Sequence, residues 1–346
     1  MFEYLAKKTV LVTGGCGTVG HELAKQLKDV PGIRHVVFSR NEAAQFRLKQ
    51  IYPDIDCYLG DIKNEYDIER VFREVKPDVV IHAAAVKVVP VAEKEMVHTF
   101  ETNAMGTYFI AQACLRHDVE LALTIGTDKQ CSPVNVYGMA KHLASSIFSD
   151  YNRQGKTRFC SVRYGNVLCS RSSLGVIIME QAEAGKNLTL TDGSMTRFFF
   201  TIQEGVELIN HALFSASLSP DYDYYGETFS SEMCAVSLKD FFNTVANRFD
   251  VDVDIIGRRP GEKTHEHLLA DYELKDSHRI LTRREPWYAT DTWLDLYMTV
   301  PHSENYPDKG CEFGVKEVFS SSTAPRLVRA EIWDILEYAY KNTWKD

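Results

Sequence analysis

Two residues four positions apart, Tyr137 and Lys141, have the types and spacing of an acid–base pair. In a helix, residues four apart project from the same face, so the ammonium would lie beside the phenol. A neighbouring positive charge stabilises a phenolate and lowers the pKa of tyrosine below its usual value of about 10. Surface helices carry such pairs as well, so the fold that contains this pair decides whether it does chemistry.

A glycine-rich turn follows the first β-branched run of the chain. The run Thr9–Thr13 leads into glycines at positions 14, 17 and 20, and a helical pattern follows. Glycines at this spacing give a tight turn, a backbone bare enough to approach a pyrophosphate, and close packing of helix on strand. The turn therefore predicts a dinucleotide site. Its predicted contacts are Gly14, Gly17, Thr18, Val19 and Gly20.

The end of the second predicted strand indicates which dinucleotide binds. An acid there accepts the ribose 2′-hydroxyl of NAD, whereas a basic side chain accommodates the 2′-phosphate of NADP. The chain has Ser39 and Arg40 at this point, which favours NADP over NAD, although Glu42 nearby leaves NAD open. After the third strand, Asp61 and Ile62 suit the adenine, with a helix N-cap as the alternative.

Short β-branched runs alternate with segments of helical period through the first half of the chain. This pattern predicts an α/β fold, a Rossmann-type doubly wound parallel sheet with its ligand at the carboxyl ends of the strands. The predicted strands are Thr9–Thr13, His35–Phe38, Asp56–Leu59, Val79–His82, Leu121–Gly126 and Phe159–Arg163. The predicted helices are His21–Lys28, Glu42–Ile51, Asn64–Val75, Thr99–His117 and Val136–Asn152.

The alternation fades after about residue 170, and a chain of 346 residues exceeds the usual size of one hydrophobic core. We therefore expect a dinucleotide-binding domain over residues 1–170 and mainly a smaller substrate lobe over 171–346. Trp287–Gly314 has little periodicity and is expected to be irregular surface or subunit contact. His265-Glu266-His267 is interpreted as a helix start with exposed imidazoles, since no matching ligand group accompanies it.

Composition excludes several classes of partner. Asp and Glu (48) outnumber Lys and Arg (39), giving a formal net charge of −9, whereas a nucleic-acid backbone needs a concentrated basic surface. The eight cysteines form no CxxC pair, so neither a disulfide framework nor a metal site is predicted. No apolar stretch approaches the roughly 20 residues that cross a bilayer, and no signal-peptide layout is present, so we expect a cytoplasmic protein.

The stretch around the tyrosine–lysine pair resembles a known active site. With Thr127 upstream, the pair forms the Thr/Tyr/Lys set of the short-chain dehydrogenases/reductases. More narrowly, Thr127-Asp128-Lys129 followed by Pro133–Gly138 and Lys141 resembles extended members that act as UDP-N-acetylglucosamine 4,6-dehydratases in bacterial surface-glycan synthesis. Further blocks in the family's order are His82–Lys87 with Val89-Pro90, Thr102-Asn103, Arg163–Val167, Ser170-Arg171, Met195–Phe198 and Arg259–Lys263. The resemblance covers about residues 8–270.

The resemblance implies a role for each active-site residue. A 4,6-dehydratase oxidises the sugar at C4, removes the C5 proton, expels the C6 hydroxyl and returns a hydride to C6. Tyr137, with Lys141 beneath it, would take the C4 hydroxyl proton, and Thr127 would help to position the substrate. Lys129 would be the C5 base, which requires a depressed pKa from burial or from Lys141. Asp128 would be the protonated acid at O6.

Tyr137 also bears on stereochemistry. Retaining family members carry Met at its position, whereas inverting members, as in pseudaminic acid synthesis, combine Asp-Lys with Tyr. The resemblance therefore implies inversion at C5 and the product UDP-2-acetamido-2,6-dideoxy-β-L-arabino-hexos-4-ulose. Gly126, Gln130, Cys131 and Ser172 depart from the family pattern, which puts the fine substrate preference in doubt.

The remaining ligand contacts follow from the family blocks and from side-chain chemistry. The charges of a UDP pyrophosphate call for arginines that make bidentate contacts, with a solvated surface role as the alternative for each. The expected substrate contacts are Lys87, Asn166, Arg171, Thr196, Arg197, Arg259 and Glu262. The further expected cofactor contacts are Ala83, Ala84, Ala85, Lys87 and Asn103.

Alternative functions remain open at this point: a C5-retaining 4,6-dehydratase, a UDP-sugar 4-epimerase, or a non-catalytic NADP-binding protein. An epimerase needs no acid and base aimed at C6 and C5, so Asp128-Lys129 favours a dehydratase. A non-catalytic relative would have lost Tyr137 or Lys141. Family members pass the chain between lobes more than once, which implies a return to the first domain in parts of 200–235. They also assemble through helices of that domain, which implies a homo-oligomer, from dimer to hexamer.

Overall fold

The structure is a computed structural model that describes residues 1–218, 226–269, 273, 277–283, 293–299 and 319–343. The strands of the first half are β1 (Thr9–Thr13), β2 (Arg34–Ser39), β3 (Asp56–Leu59), β4 (Val79–His82), β5 (Leu121–Ile125) and β6 (Arg158–Val162). They are followed by β7 (Asn166–Val167), β8 (Leu188–Leu190), β9 (Thr196–Phe200), β10 (Thr228–Ser231), β11 (Ala235–Ser237), β12 (Val253–Ile255), β13 (Ser277–Arg283) and β14 (Trp293–Thr299).

The helices lie between these strands as the alternation predicts. Those of the first half are α1 (Thr18–Leu27), α2 (Glu42–Ile51), α3 (Glu65–Val75), α4 (Val89–Lys94), α5 (Met96–Phe100), α6 (Gly106–Arg116) and α7 (Val136–Tyr151). Those of the second half are α8 (Leu174–Glu183), α9 (Ile202–Ser217), α10 (Leu238–Phe249) and α11 (Arg329–Asn342). The segment predicted as one helix, Thr99–His117, is instead the end of α5, a π-helical stretch at Glu101–Met105, and α6.

The large sheet has the strand order β13-β14-β10-β6-β5-β4-β1-β2-β3. Strands β1 to β6 are parallel, and the chain reverses direction across the sheet between β1 and β4. This reversal leaves a crevice at the carboxyl ends of β1 and β4, where doubly wound sheets bind ligands. The predicted Rossmann-type doubly wound sheet is confirmed.

Hydrophobic side chains cover both faces of this sheet. Val10 and Val12 of β1 belong to one cluster, which α9 completes through Leu213. Leu11, between them, belongs to the cluster on the opposite face with Phe148 of α7. Alternate residues of a strand point to opposite faces, so a continuous apolar run is what a strand buried on both sides requires.

A second group of elements packs beside the sheet. It contains the strand sets β11-β9-β7 and β12-β8, and its core joins α8, α10 and α11 through residues such as Ile178, Phe242 and Leu336. The chain returns to the large sheet at α9, which packs on β5 and β6, and at β10, which pairs with β6.

One sequence-based expectation is wrong in part. Residues 293–299 of the segment expected to be irregular form β14, which pairs antiparallel with β10 and β13. This strand is a short, mostly apolar run, and periodicity alone cannot identify such a strand. The rest of Trp287–Gly314 lies outside the described residues.

We expect Gly20→Ala to lower the free energy of unfolding by about 1–3 kcal/mol or more, because overpacking forces the backbone to move. A Cβ at Gly20 would overlap the carbonyl oxygen of Gly15, which belongs to the rigid turn before α1. Chemical denaturation measures the change. In the control Gly193→Ala, the new Cβ would lie 3.4 Å or more from Lys239 and Leu190, which is ordinary van der Waals contact, so this variant should stay near wild type. An equal loss in both variants would contradict the packing argument.

Candidate active site

A cleft of about 670 Å³ opens at the carboxyl ends of the central strands. One wall is formed by the β1–α1 turn, the residues after β2 and β4, and the start of α7. The opposite wall is formed by residues 164–175, 189–191 and 259–262. The crevice predicted by the sheet topology is therefore closed on its far side by the second group of elements.

The glycine turn forms a cradle at one end of the cleft. Gly14 has a φ of +66°, which favours glycine, and a Cβ there would lie 2.7 Å from the backbone of Ala84. Gly17 is the N-cap of α1 and lines the cleft with Thr18 and Val19. Backbone N–H groups at a helix N-terminus attract anions, so this cradle fits the pyrophosphate of a dinucleotide. Gly20 lies behind it and serves helix packing.

Ser39, Arg40 and Ile62 line the same end of the cleft. Asp61 is not among the lining residues; its Oδ2 lies 3.5 Å from Arg40 Nη1 instead. This pair orients the Arg40 guanidinium at the place where a ribose substituent would lie, so Asp61 acts through Arg40. The Ser39 hydroxyl lies 3.3 Å from Cys16 Sγ.

The loop after β4 contributes Ala83, Ala84, Ala85 and Lys87 to the cleft. Desolvation and the nearby Arg171 guanidinium lower the pKa of Lys87 to about 8. Asn103 lies behind the loop and is buried, which differs from the expected cofactor contact. Its carboxamide accepts from Val86 N at 2.7 Å and donates to Val86 O at 2.8 Å, so Asn103 fixes the loop that carries Lys87.

Four of the predicted catalytic residues, Thr127, Lys129, Tyr137 and Lys141, line the cleft, and the fifth, Asp128, is buried beside Lys129. Asp128 and Lys129 lie on a single 3-10 turn after β5, and Thr127 caps this turn. Tyr137 and Lys141 lie in the first turns of α7 and line the cleft with Thr127 and Lys129. Helix α7 can pack directly on the turn because residue 138 is a glycine: any other side chain would place a Cβ that overlaps Lys129 O.

Asp128 and Lys129 form a buried ion pair. Asp128 has no exposed surface, and its Oδ1 accepts from Lys129 Nζ at 2.9 Å and from Thr127 Oγ1 at 3.0 Å. Lys129 Nζ also donates to Asn166 Oδ1 at 2.9 Å. Asp128 Oδ2 has no hydrogen-bond partner in the described part of the chain, and Asp128 is not among the residues that line the cleft.

Two departures from the family pattern compensate each other. Gln130 Oε1 accepts from Thr127 N at 3.0 Å, and its Nε2 donates to Ser145 Oγ of α7 at 3.1 Å. A Cβ at Gly126 would lie 2.5 Å from Gln130 Oε1. The glycine therefore makes room for the glutamine, which ties the catalytic turn to the helix that carries Tyr137.

The electrostatics differ from the sequence-based expectation for Lys129. Burial acts to lower its pKa, but Asp128 and Glu266 outweigh burial, and the pKa of Lys129 is raised. Burial raises the pKa of Tyr137, and the charge of Lys129 and a hydrogen bond with Thr127 oppose that rise. Burial lowers the pKa of Lys141 to about 8. The prediction of a lowered pKa for Lys129 is thus wrong, and the lysine of the site whose pKa is lowered is Lys141.

Glu266 is a site residue that sequence reasoning missed. Its carboxylate is buried, with Oε1 3.8 Å from Lys129 Nζ and Oε2 3.7 Å from Lys263 Nζ. The expected helix start at 265–267 is wrong, because these residues form an extended loop in which His267 bridges to Ser320. No local signal marks Glu266 as a partner of Lys129, because the two residues lie far apart in the chain.

The expected substrate residues divide into two groups. Asn166, Arg171, Arg197, Arg259 and Glu262 line the far wall of the cleft, and Lys87 faces them from the loop after β4. Arg171 Nη2 donates to Cys16 O at 3.3 Å, which places it beside the glycine cradle.

Thr196 is not among the residues that line the cleft, and its expected role as a donor to the substrate stays a prediction. Its Oγ1 lies 2.8 Å from His265 Nδ1 and 2.8 Å from Ser321 Oγ. These bonds tie β9 to the loop that carries Glu266, which makes Thr196 a support of the wall behind Arg197.

The strand order, the glycine cradle and the Thr127, Tyr137 and Lys141 set define an extended short-chain dehydrogenase/reductase. The chain belongs to the family of polysaccharide biosynthesis proteins, whose family model matches residues 10–283.

Three relatives illustrate what the chain is similar to. It is 32% identical to a UDP-N-acetylglucosamine 4,6-dehydratase (inverting) of Campylobacter jejuni over 82% of this chain and 82% of the relative. It is 31% identical to a UDP-glucose 4-epimerase of Rickettsia massiliae over 79% of this chain and 82% of the relative. Among solved structures it is similar to Pen from Bacillus thuringiensis, with a TM-score of 0.83 and 26% identity over 98% of this chain and 99% of that one. Nucleotide-sugar dehydratases and epimerases are thus both among its relatives.

Within the described ranges, no helix has the length and apolar character needed to span a membrane.

We expect Lys141→Met to raise the free energy of unfolding at pH 7 by roughly 3 kcal/mol, since each pKa unit corresponds to about 1.4 kcal/mol. Burial lowers the pKa of Lys141 from 10.5 to about 8. The unfolded chain therefore binds the proton more tightly, and this destabilisation is complete below pH 8 and lost as pH rises to 10.5. Denaturant titrations across this range measure the difference between variant and wild type. A difference that does not shrink with rising pH would contradict the argument.

Proposed function

We propose that this chain is an NADP-dependent UDP-N-acetylglucosamine 4,6-dehydratase that inverts C5. The buried Asp128–Lys129 pair, 2.9 Å apart beside Tyr137, is the observation that carries the proposal. It provides an acid and a base next to the residue that would take the C4 hydroxyl proton. The family membership and the similarity to an inverting dehydratase support the same reading.

Proton balance explains why the acid and the base adjoin each other. The reactive form needs a neutral Lys129 amine and a protonated Asp128, which is the resting ion pair after one proton has moved across 2.9 Å. No proton must leave the site for Lys129 to become a base. A raised pKa at Lys129 is therefore compatible with its role as the C5 base. Its amine becomes neutral by passing a proton to Asp128, and an amine with a raised pKa is a stronger base than one with a lowered pKa.

The steps follow from the positions of the side chains. Tyr137 takes the C4 hydroxyl proton; burial raises its pKa, and the positive charge of Lys129 opposes that rise. Lys141, with a pKa of about 8, lies one turn further along α7. Lys129 takes the C5 proton, and the C–H electron pair passes toward the C4 carbonyl. The C6–O bond then breaks, and O6 leaves as water with the proton of Asp128. The ion pair of Asp128 and Lys129 is thereby restored. After the hydride has returned to C6, a proton from solvent adds at C5 from the opposite face, and Tyr137 releases to solvent the proton that it took from the C4 hydroxyl.

Cofactor contacts would come from the glycine cradle and from Arg40. When bound, the nicotinamide would accept a hydride from C4 and return it at C6. Arg40 lines the cleft, and the last residue of β2 is Ser39 rather than an acid that would accept a 2′-hydroxyl, which supports NADP. On the far wall, Arg197 and Arg259 would hold the UDP pyrophosphate, with Asn166 and Glu262 toward the sugar and ribose.

A 4-epimerase is the second candidate, because relatives with that name match most of the chain. Its reaction needs only the Tyr137 and Lys141 end of the site. An epimerase reaction does not use the buried Asp128 or the Lys129 that pairs with it. Burying such an ion pair is nevertheless costly. The dehydratase accounts for both residues.

The test is incubation of the purified chain with NADP and UDP-N-acetylglucosamine, followed by mass spectrometry. We expect the sugar to lose one water. Lys129→Met and Asp128→Asn should each reduce the rate by about 10²–10⁴-fold, the usual contribution of a general acid or base, while NADP binding persists. The exposed Lys186→Met serves as the matched control and should keep full activity. An unchanged mass with isomerisation at C4 would establish the epimerase instead.

We also propose that the chain forms a homo-oligomer through α5 and α7. These adjacent helices expose Met96, Val97, Phe100, Met139 and Leu143, between 42% and 71% of each side chain. A contiguous apolar face of this kind is unusual on a monomer and fits a second copy of itself.

We expect light scattering to give at least a dimer for the wild type and a smaller species for Val97→Glu combined with Met139→Glu. The control Phe46→Glu changes an equally exposed apolar residue on α2, outside this face, and should leave the mass unchanged. A monomeric wild type would overturn the proposal.

A further inference from the structure

Glu266 is a buried acid that none of the proposed steps uses. Its side chain is only 3% exposed, and its backbone N–H donates to Ser321 Oγ at 2.8 Å, which fixes the loop. One carboxylate oxygen faces Lys129 Nζ at 3.8 Å, and the other faces Lys263 Nζ at 3.7 Å. The latter oxygen has no hydrogen-bond partner within the described residues.

The groups that face Glu266 come from three parts of the chain. Asp128 and Lys129 lie on the turn after β5, Arg197 lies on β9, and Lys263 lies three residues earlier on the same loop. Burial and Asp128 favour the neutral acid and raise the pKa of Glu266, whereas the three cations oppose that rise and favour the carboxylate. Lys263 is itself anchored by donating to Cys131 O. The loop therefore holds Glu266 between two ammonium groups.

The reactive form of the proposed site changes what Lys129 faces. In the resting state, Asp128 and Glu266 both raise its pKa. Once Asp128 holds the proton that it will give to O6, it is neutral and no longer stabilises a cation. The ammonium that forms on Lys129 when the C5 proton arrives then has one facing carboxylate left, that of Glu266.

We propose that Glu266 is a positioning residue for the base: its buried carboxylate, held by Lys263, stabilises the Lys129 ammonium that forms as the C5 proton is removed. The inference rests on the proposed dehydratase function and deepens it. It explains why an acid is buried beside a lysine that already has a carboxylate partner at 2.9 Å. The 3.8 Å separation allows one of the side chains to shift closer on substrate binding, as catalytic contacts often do.

Glu266→Gln keeps the size of the side chain and removes its charge. The Lys129 pKa should fall, which weakens the base. We expect kcat to fall by about 10²-fold, the lower end of the range for general acid–base groups, with KM unchanged. Oxidation at C4, followed as transient reduction of the nicotinamide, should keep its rate, while exchange of the C5 proton with solvent slows. Glu266→Asp, which keeps a carboxylate, should recover part of the rate.

Two measurements separate this role from a structural one. NMR of the chain with carbon-labelled lysine, with the Lys129 signal assigned through Lys129→Met, gives its pKa without substrate or cofactor. The C5 exchange rate, measured in D2O with NADP and UDP-N-acetylglucosamine, gives the step affected. The matched control is Glu207→Gln, which removes another buried carboxylate, on α9 and away from the cleft.

The proposal is supported if Glu266→Gln lowers the Lys129 pKa and slows C5 exchange, while Glu207→Gln changes neither quantity. Three results for Glu266→Gln would overturn the positioning role and leave the dehydratase function standing. These are an unchanged Lys129 pKa, C5 exchange at the wild-type rate, and equal slowing of C4 oxidation and C5 exchange. A wild type that releases no water overturns the dehydratase function and this role with it.

Discussion

The pairing of Asp128 with Lys129 inside the protein is the interaction on which the rest of the site depends. A carboxylate without exposed surface is expensive to keep charged, and the pair persists because Lys129, at 2.9 Å, and the Thr127 hydroxyl, at 3.0 Å, both donate to it. Such an arrangement contributes little to stability compared with apolar packing. Its value lies in chemistry, since moving one proton between partners creates an acid and a base side by side.

The fold supplies the pair by bringing together distant parts of the chain. The parallel sheet places the turn after β5 and the start of α7 at the same edge as the glycine cradle. The far wall comes from β9 and the 256–269 loop, which Thr196 and Ser321 join through hydrogen bonds. Glu266 belongs to that wall, so the charge facing Lys129 depends on how the two walls meet.

Most of the predicted site residues line the two walls of the cleft, but the sequence did not predict the contacts of the residues that lie behind this lining. Periodicity and the glycine spacing identify β1 to β6 and the cradle, because these depend on local pattern. The roles of Thr196 and Glu266 depend on contacts across 69 and 137 residues, to His265 and Lys129 respectively, which no local pattern contains. The expected depression of the Lys129 pKa, from burial or from Lys141, is wrong because Asp128, its neighbour in the chain, and Glu266 together outweigh burial.

The most direct test of this account is the product that the wild-type chain makes from UDP-N-acetylglucosamine and NADP in D2O, analysed by NMR. In this account Lys129 removes the C5 proton, and a solvent-derived proton returns from the opposite face. The product should therefore carry one deuterium at C5 and have the L-arabino configuration. A 4-keto product that retains the original C5 configuration would contradict inversion. A C4 epimer with its C5 proton intact would contradict the acid–base role of Asp128 and Lys129 altogether.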